Sequence, residues 1–222
     1  IKVLAQDHSV YAFDLPGHGD SAPLPGGETI DVPIAAERML ALFDALGLDR
    51  FKVYGSHTGG ALAMEIARQR PDRDAALVID GLPVFNDAEN ELLLSDEYLS
   101  PLKVKSDGSH LTSIWAKQRD AALWFPWCRP AAAHRLKRPF SFPGPASVHD
   151  GALQRLLAGN GYRAIYGAAF RYPAVELIPT VTTPTTIMAA EYDILFPYLD
   201  RLPELPANQK LERHLVDEVT YV

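Results

Sequence analysis

Residues 53–60 constrain the fold more than any other stretch of this chain. A short apolar run, Phe51-Lys52-Val53-Tyr54, leads into Gly55-Ser56-His57-Thr58-Gly59-Gly60, and an alanine-rich helical pattern, GGALAMEIARQR, follows at once. A strand that turns directly into a helix must reverse its backbone sharply and let the helix pass close to the strand. Small residues flanking the turning position meet both needs. The glycine spacing puts His57 at the tip, where a side chain projects into whatever pocket lies above the sheet. Ser56 and Thr58, as its neighbours, point in other directions.

Further apolar runs carry turn signals at their C-terminal ends. Ser9–Phe13 precedes Asp14-Leu15-Pro16-Gly17-His18-Gly19-Asp20-Ser21, and Ala75–Ile79 ends at Asp80-Gly81. Thr185–Ala190 ends at Glu191-Tyr192-Asp193, and a last run covers 211–216. Such runs read as buried parallel strands. Between them, residues 32–47 place Ile34, Met39, Leu42 and Leu46 at helical spacing and stop at Gly47. Residues 59–70 do the same with Leu62, Met64 and Ile66 and stop before Pro71. The fold class expected is therefore α/β, a mostly parallel sheet flanked by helices.

Residues 86–180 break this rhythm. They hold all three tryptophans and a cluster of prolines at 126–145, with helical patterns over 109–125 and 148–168 joined by KRPFSFPGP. The expectation is a helical cap over 86–180, inserted into a core made of 1–85 and 181–222.

Composition removes several classes of function. With 222 residues, 47% of them hydrophobic, the chain can bury a real core, and a net charge of −7 offers no footprint for nucleic acid or an anionic membrane. No apolar run approaches the ~18 residues of a membrane span, and no signal-peptide pattern stands at the start. Cys128 has no partner for an internal disulfide, which fits a reducing, cytoplasmic setting. There is no GKS/T phosphate loop, and the glycines of DLPGHGDS follow a strand without opening a helix. HExxH and paired CxxC spacings are missing too. The expectation is a small-molecule substrate, no cofactor and no metal.

The elbow together with DLPGHGDS after the preceding strand resembles the α/β-hydrolase superfamily, over about residues 3–85 and 183–216. In that family the elbow tip carries serine, cysteine or aspartate; here it carries His57. The resemblance makes Asp193 the acid, in TTIMAAEYDILFP after the penultimate strand, with Asp80 as the fallback. It also makes the Thr58 backbone N–H one oxyanion donor, at a helix N-terminus where free donors favour an anion. The family's base histidine follows the last strand. His214 lies within that strand, so the base is either absent or beyond Val222. By the same resemblance the leading strands and the second oxyanion loop precede Ile1, and the chain is expected to be truncated at both ends.

Imidazole can serve as general base, donor or ligand, but an acyl-imidazole is itself reactive. Activation of water by His57, oriented by Asp193, is thus the expected chemistry, on a small or medium, partly apolar ester, lactone or C–C substrate. Lyase or elimination chemistry and noncatalytic ligand binding are the rival readings. Trp124, Trp127 and Arg119 are candidates for the substrate pocket, with Arg129 as a second carboxylate partner. His110, His134 or His149 could supply a second proton-transfer group. The tyrosines of 162–172 could serve the cap core or the cleft.

Overall fold

A computed structural model describes residues 2–23, 30–136 and 142–215. Four strands pair in chain order: β1 (Phe51–Ser56), β2 (Asp74–Asp80), β3 (Thr185–Ala190) and β4 (Gln209–His214). Every pairing is parallel, so each connection must carry the chain back along the sheet. Between β1 and β2 that work falls to α2 (Thr58–Gln69). Ser56 lies opposite Asp80, and Asp80 opposite Met188. The C-terminal ends of β1, β2 and β3 therefore fall at one edge of the sheet, where ligands of open α/β sheets bind.

The core follows the side-chain alternation of the strands. Leu77 and Ile79 of β2 and Ile187 and Ala189 of β3 are buried together with Met64, Leu82, Ile178 and Leu199. Preceding β1, α1 (Val32–Ala45) is capped by Asp31, whose carboxylate accepts the Ile34 N–H at 2.8 Å. Its buried stripe runs through Val32, Ala35, Ala36, Met39, Leu40 and Phe43. Leu42 and Leu46, expected on that stripe, are exposed. The small Ala35–Ala36 face lies against Leu62 and Ile66 of α2, and that close approach sets the rotation of the helix.

One expected strand does not form. Residues 9–15 carry no regular secondary structure and pair with no strand among the described residues. Ring packing holds the segment instead: Phe13 lies 5.5 Å from Phe43 of α1, and Tyr11 stacks on Phe13 at 6.1 Å. β propensity expresses itself only where a ladder partner exists.

The insert between β2 and β3 is helical. It holds α3 (Asp87–Leu94), α4 (Ser109–Ala121), α5 (Pro145–Ala158), α6 (Gly161–Arg171) and α7 (Ala174–Leu177). Its one strand-like pairing among the described residues is an isolated antiparallel bridge between Trp124 and Arg135. The pattern expected as one helix over 148–168 is two, because Gly159 takes φ 54° and ends α5. The 109–125 helix stops at Ala121. Part of the KRPFSFPGP link lies outside the described residues. No described helix is long and apolar enough to cross a membrane.

Candidate active site

The elbow is strained at the position the glycine spacing selects. His57 adopts φ 51°, ψ −113°, and it is the one non-glycine residue with positive φ among those described. Its N–H donates to the Asp80 carbonyl at 3.0 Å, and its own carbonyl accepts the Gly60 N–H at 2.8 Å. The tip is thus clamped between the end of β2 and the first turn of α2. A Cβ on Gly55 would sit 2.0 Å from the Gly59 carbonyl oxygen, inside any allowed contact.

This clamp aims the imidazole at the loop after β3. His57 Nε2 lies 2.7 Å from Asp193 Oδ2, between residues 136 positions apart in the chain. The other carboxylate oxygen, Oδ1, accepts the Leu195 N–H at 2.7 Å, and the Asp193 N–H donates to the Ala190 carbonyl at 2.8 Å. Both side chains are partly buried. Gly81, at φ +74°, passes beside the pair; a Cβ there would meet His57 Cδ2 at 2.9 Å and Asp193 Oδ1 at 3.4 Å. The geometry brings together an imidazole, a carboxylate oriented by backbone, and the N-terminus of α2 at Thr58.

Asp80 has a different task. Its carbonyl holds the elbow, while its carboxylate accepts the Tyr54 hydroxyl at 2.6 Å. Desolvation and the Asp80 carboxylate push the Tyr54 phenol up to about 12. The fallback acid is therefore engaged with Tyr54.

A cleft of about 30 Å³ opens on His57 and Thr58. Pro83, Phe85, Tyr98, Phe125, Tyr166, Phe170, Ile194 and Leu195 line the rest of it. Phe85 meets Phe170 edge-on at 5.5 Å and lies 6.2 Å from Phe125; Tyr166 meets Phe170 edge-on at 5.9 Å. These ring contacts line the cleft with apolar surface.

Of the pocket candidates read from sequence, Trp127 packs against the ring cluster that supplies the cleft's Tyr98 and Phe170, and it donates its indole N–H to the Tyr98 carbonyl at 3.2 Å. Trp124 forms the bridge to Arg135. Arg119 is paired with Asp120 at 2.8 Å, and Arg129 with Glu97 at 2.8 Å. Among the histidines, His110 Nδ1 accepts the Lys105 N–H at 3.2 Å and His134 Nδ1 meets the Arg129 carbonyl at 2.7 Å. His149 is exposed beside Trp115, and His214 ends β4 with Nε2 3.7 Å from Glu212. None of the four contacts His57.

The wall residues that sequence reading passed over are Phe85, Tyr98 and Ile194–Leu195. Tyr166 and Phe170 carried a usable signal: with Tyr162 they repeat every four residues along α6. Among the described residues no group of three or more His, Cys, Asp or Glu side chains is placed to hold a metal ion.

Known proteins place this architecture. Lipase LipV of Mycobacterium tuberculosis is 37% identical over 114 residues, 48% of this chain and 41% of that protein. An acetyltransferase component of the acetoin-cleaving system of Pseudomonas putida, which acts on dihydrolipoyllysine residues, is 40% identical over 75 residues, 33% of this chain and 20% of that protein. Each match spans less than half of the relative's length. Among solved structures, epoxide hydrolase A from Mycobacterium thermoresistibile superposes with a TM-score of 0.62 at 20% identity, over 92% of this chain and 73% of its own. A hydrolase from Pseudomonas aeruginosa gives 0.61 at 19%, over 91% and 70%. At such identities the likeness speaks for the fold. The sequence profile of the alpha/beta hydrolase fold matches residues 1–218, and on that extent of match the chain belongs to the α/β-hydrolase fold family.

Proposed function

We propose that this protein hydrolyses a small or medium, partly apolar ester, lactone or C–C substrate, using His57 as a general base on water. The observation that carries the reading is the 2.7 Å contact between His57 Nε2 and Asp193 Oδ2. A carboxylate partner fixes the tautomer: Nε2–H donates to Asp193, and Nδ1 is left as the acceptor. Water attacks the carbonyl carbon as its proton passes to Nδ1, and Asp193 stabilises the imidazolium. Negative charge then develops on the carbonyl oxygen, for which the Thr58 N–H is the donor at hand. Collapse breaks the bond to the leaving group, which takes the proton back from Nδ1. In this reading the helical insert over 86–180 is a cap, and its rings seat the apolar part of the substrate.

The test is ester turnover over a panel of short acyl chains. A positioned base contributes on the order of 10²–10⁴ in rate, so His57→Ala is expected to lose that much, and Asp193→Asn a large part of it, with the fold retained by circular dichroism. Turnover that survives His57→Ala unchanged sinks the reading. Ligand binding with no turnover on any ester, lactone or C–C substrate would point to a noncatalytic binding protein.

A further inference from the structure

Behind the cleft, two cations of the insert face rings where acids would ordinarily stand. Lys117 of α4 donates from Nζ to the Tyr98 carbonyl at 2.8 Å and lies 4.6 Å from the Trp127 ring centroid and 5.8 Å from that of Tyr162. Arg155 of α5 lays its guanidinium 3.3 Å from the Tyr162 centroid and reaches the Ser100 carbonyl at 3.5 Å. Its Nη1 is buried with no hydrogen-bond partner among the described residues. Other arginines, whether buried or exposed, hold carboxylates: Arg68 takes Glu65, Arg73 takes Asp44, and Arg201 takes Glu89. The carboxylates just before Tyr98 are already engaged, Asp96 by Arg163 and Glu97 by Arg129. Among the described residues, neither Lys117 nor Arg155 forms an ion pair.

Two cations brought together without a counter-ion repel each other and lose hydration, an arrangement that an anion relieves. Burial first, and Arg155 second, pull Lys117 down to about 7. The cluster also adjoins the cleft. Tyr98, whose carbonyl takes Lys117, lines it, and so does Tyr166, stacked on Tyr162 at 4.2 Å.

We propose that Lys117 and Arg155 form a subsite for the carboxylate of a small organic anion, behind the ring wall of the cleft. The preferred ligand then has an apolar middle for the rings and a carboxylate at the end remote from His57. Where this rests on the proposed hydrolysis, the substrate class is the half-ester of a short dicarboxylic acid.

Binding tests the subsite without catalysis. Glutarate and inorganic phosphate are titrated into the full chain at constant ionic strength, with tryptophan fluorescence as readout because Trp127 adjoins Lys117. Saturable quenching or enhancement by glutarate is expected, weakened at least tenfold in Lys117→Gln and in Arg155→Gln. Circular dichroism and Tm establish that each variant is folded. If either cation variant fails to fold, Lys117→Arg, which keeps the charge, must retain glutarate binding. No saturation by glutarate overturns the proposal, as does equal affinity in the folded Gln variants or saturation by phosphate alone. A second arm compares turnover of monomethyl and dimethyl glutarate. Glutarate binding without turnover of either ester overturns the hydrolytic reading and leaves the subsite standing.

Discussion

Asp74 stands at the start of β2, opposite Phe51, where the register with β1 slips by one residue. It is 5% exposed; Oδ1 accepts the Ala76 N–H at 3.3 Å, and Oδ2 is buried without a hydrogen-bond partner among the described residues. Burial raises its carboxyl to about 7. A carboxyl raised on folding means that the native state binds the proton more tightly than the unfolded chain. Its contribution to stability is therefore full below the unfolded value of about 4 and falls away as pH rises through about 7. Asp74→Asn removes the ionisation. The variant is expected to melt above wild type at pH 8, with the gap closing or reversing at pH 5. A kcal/mol corresponds to about 2–4 °C in a chain of this size. Thermal melts at the two pH values check it, and a gap that does not change with pH contradicts it.

At the scale of elements, the elbow's three glycines are not equivalent. Gly55 faces the Gly59 carbonyl, backbone that cannot yield, whereas a Cβ on Gly59 meets nothing within 4 Å. Gly60 meets Ile79 Cγ2 at 2.9 Å, a branch on the Cβ of a fully buried strand residue, with the Gly55 and Gly81 carbonyl oxygens at 3.4 Å. Gly55→Ala is thus expected to abolish soluble, folded protein. Gly59→Ala should cost nothing and can add some of the ~1 kcal/mol by which alanine exceeds glycine in a helix. Expression and urea titration of both variants decide this; a Gly55→Ala protein as stable as wild type refutes the close-packing account. The sequence motif made the elbow legible because sharp backbone reversal leaves a compositional trace. Asp193 was marked by the family resemblance, which expects an acid after the penultimate strand. The cleft wall was far less so. Phe85 and Tyr98 come from irregular connections, where no periodicity marks which ring faces the site. Of the insert's tryptophans, Trp127 packs behind the wall's rings, Trp124 lies in the bridge to Arg135 and Trp115 is exposed. The run at 9–13 had the composition of a strand, and only its pairing, which composition does not encode, was lacking.

For the whole molecule, the central question is how the insert is fastened to the sheet layer. Glu65 of α2, 4% exposed, accepts the Tyr172 hydroxyl at 2.6 Å, the Arg68 guanidinium at 2.6 Å and the Gln69 amide at 3.1 Å. Tyr172 follows α6 directly, so this network ties the last long helix of the insert to the helix that begins at the elbow. Burial, then the Glu65 carboxylate, hold the Tyr172 phenol well above its usual range. Tyr172→Phe removes one hydrogen bond to a charged acceptor, worth about 1.5–3 kcal/mol, while Arg68 still satisfies the carboxylate. The expected result in urea is a loss of that size with the m-value unchanged. A drop in m would mean that the insert had come loose by itself.

The contact between His57 and Asp193 joins residues 136 positions apart, and the whole insert lies between them. Chain closure over such a span is entropically opposed until other contacts have drawn the ends together. His57 follows β1 and Asp193 follows β3, so both strands must first dock on β2 between them, Gly55 opposite Ile79 and Ile79 opposite Ile187. The ring and the carboxylate can meet only after that. Assembly of the chemical pair is therefore a late event in the life of each molecule. A chain that has lost its tertiary order keeps every reactive side chain and none of their alignment.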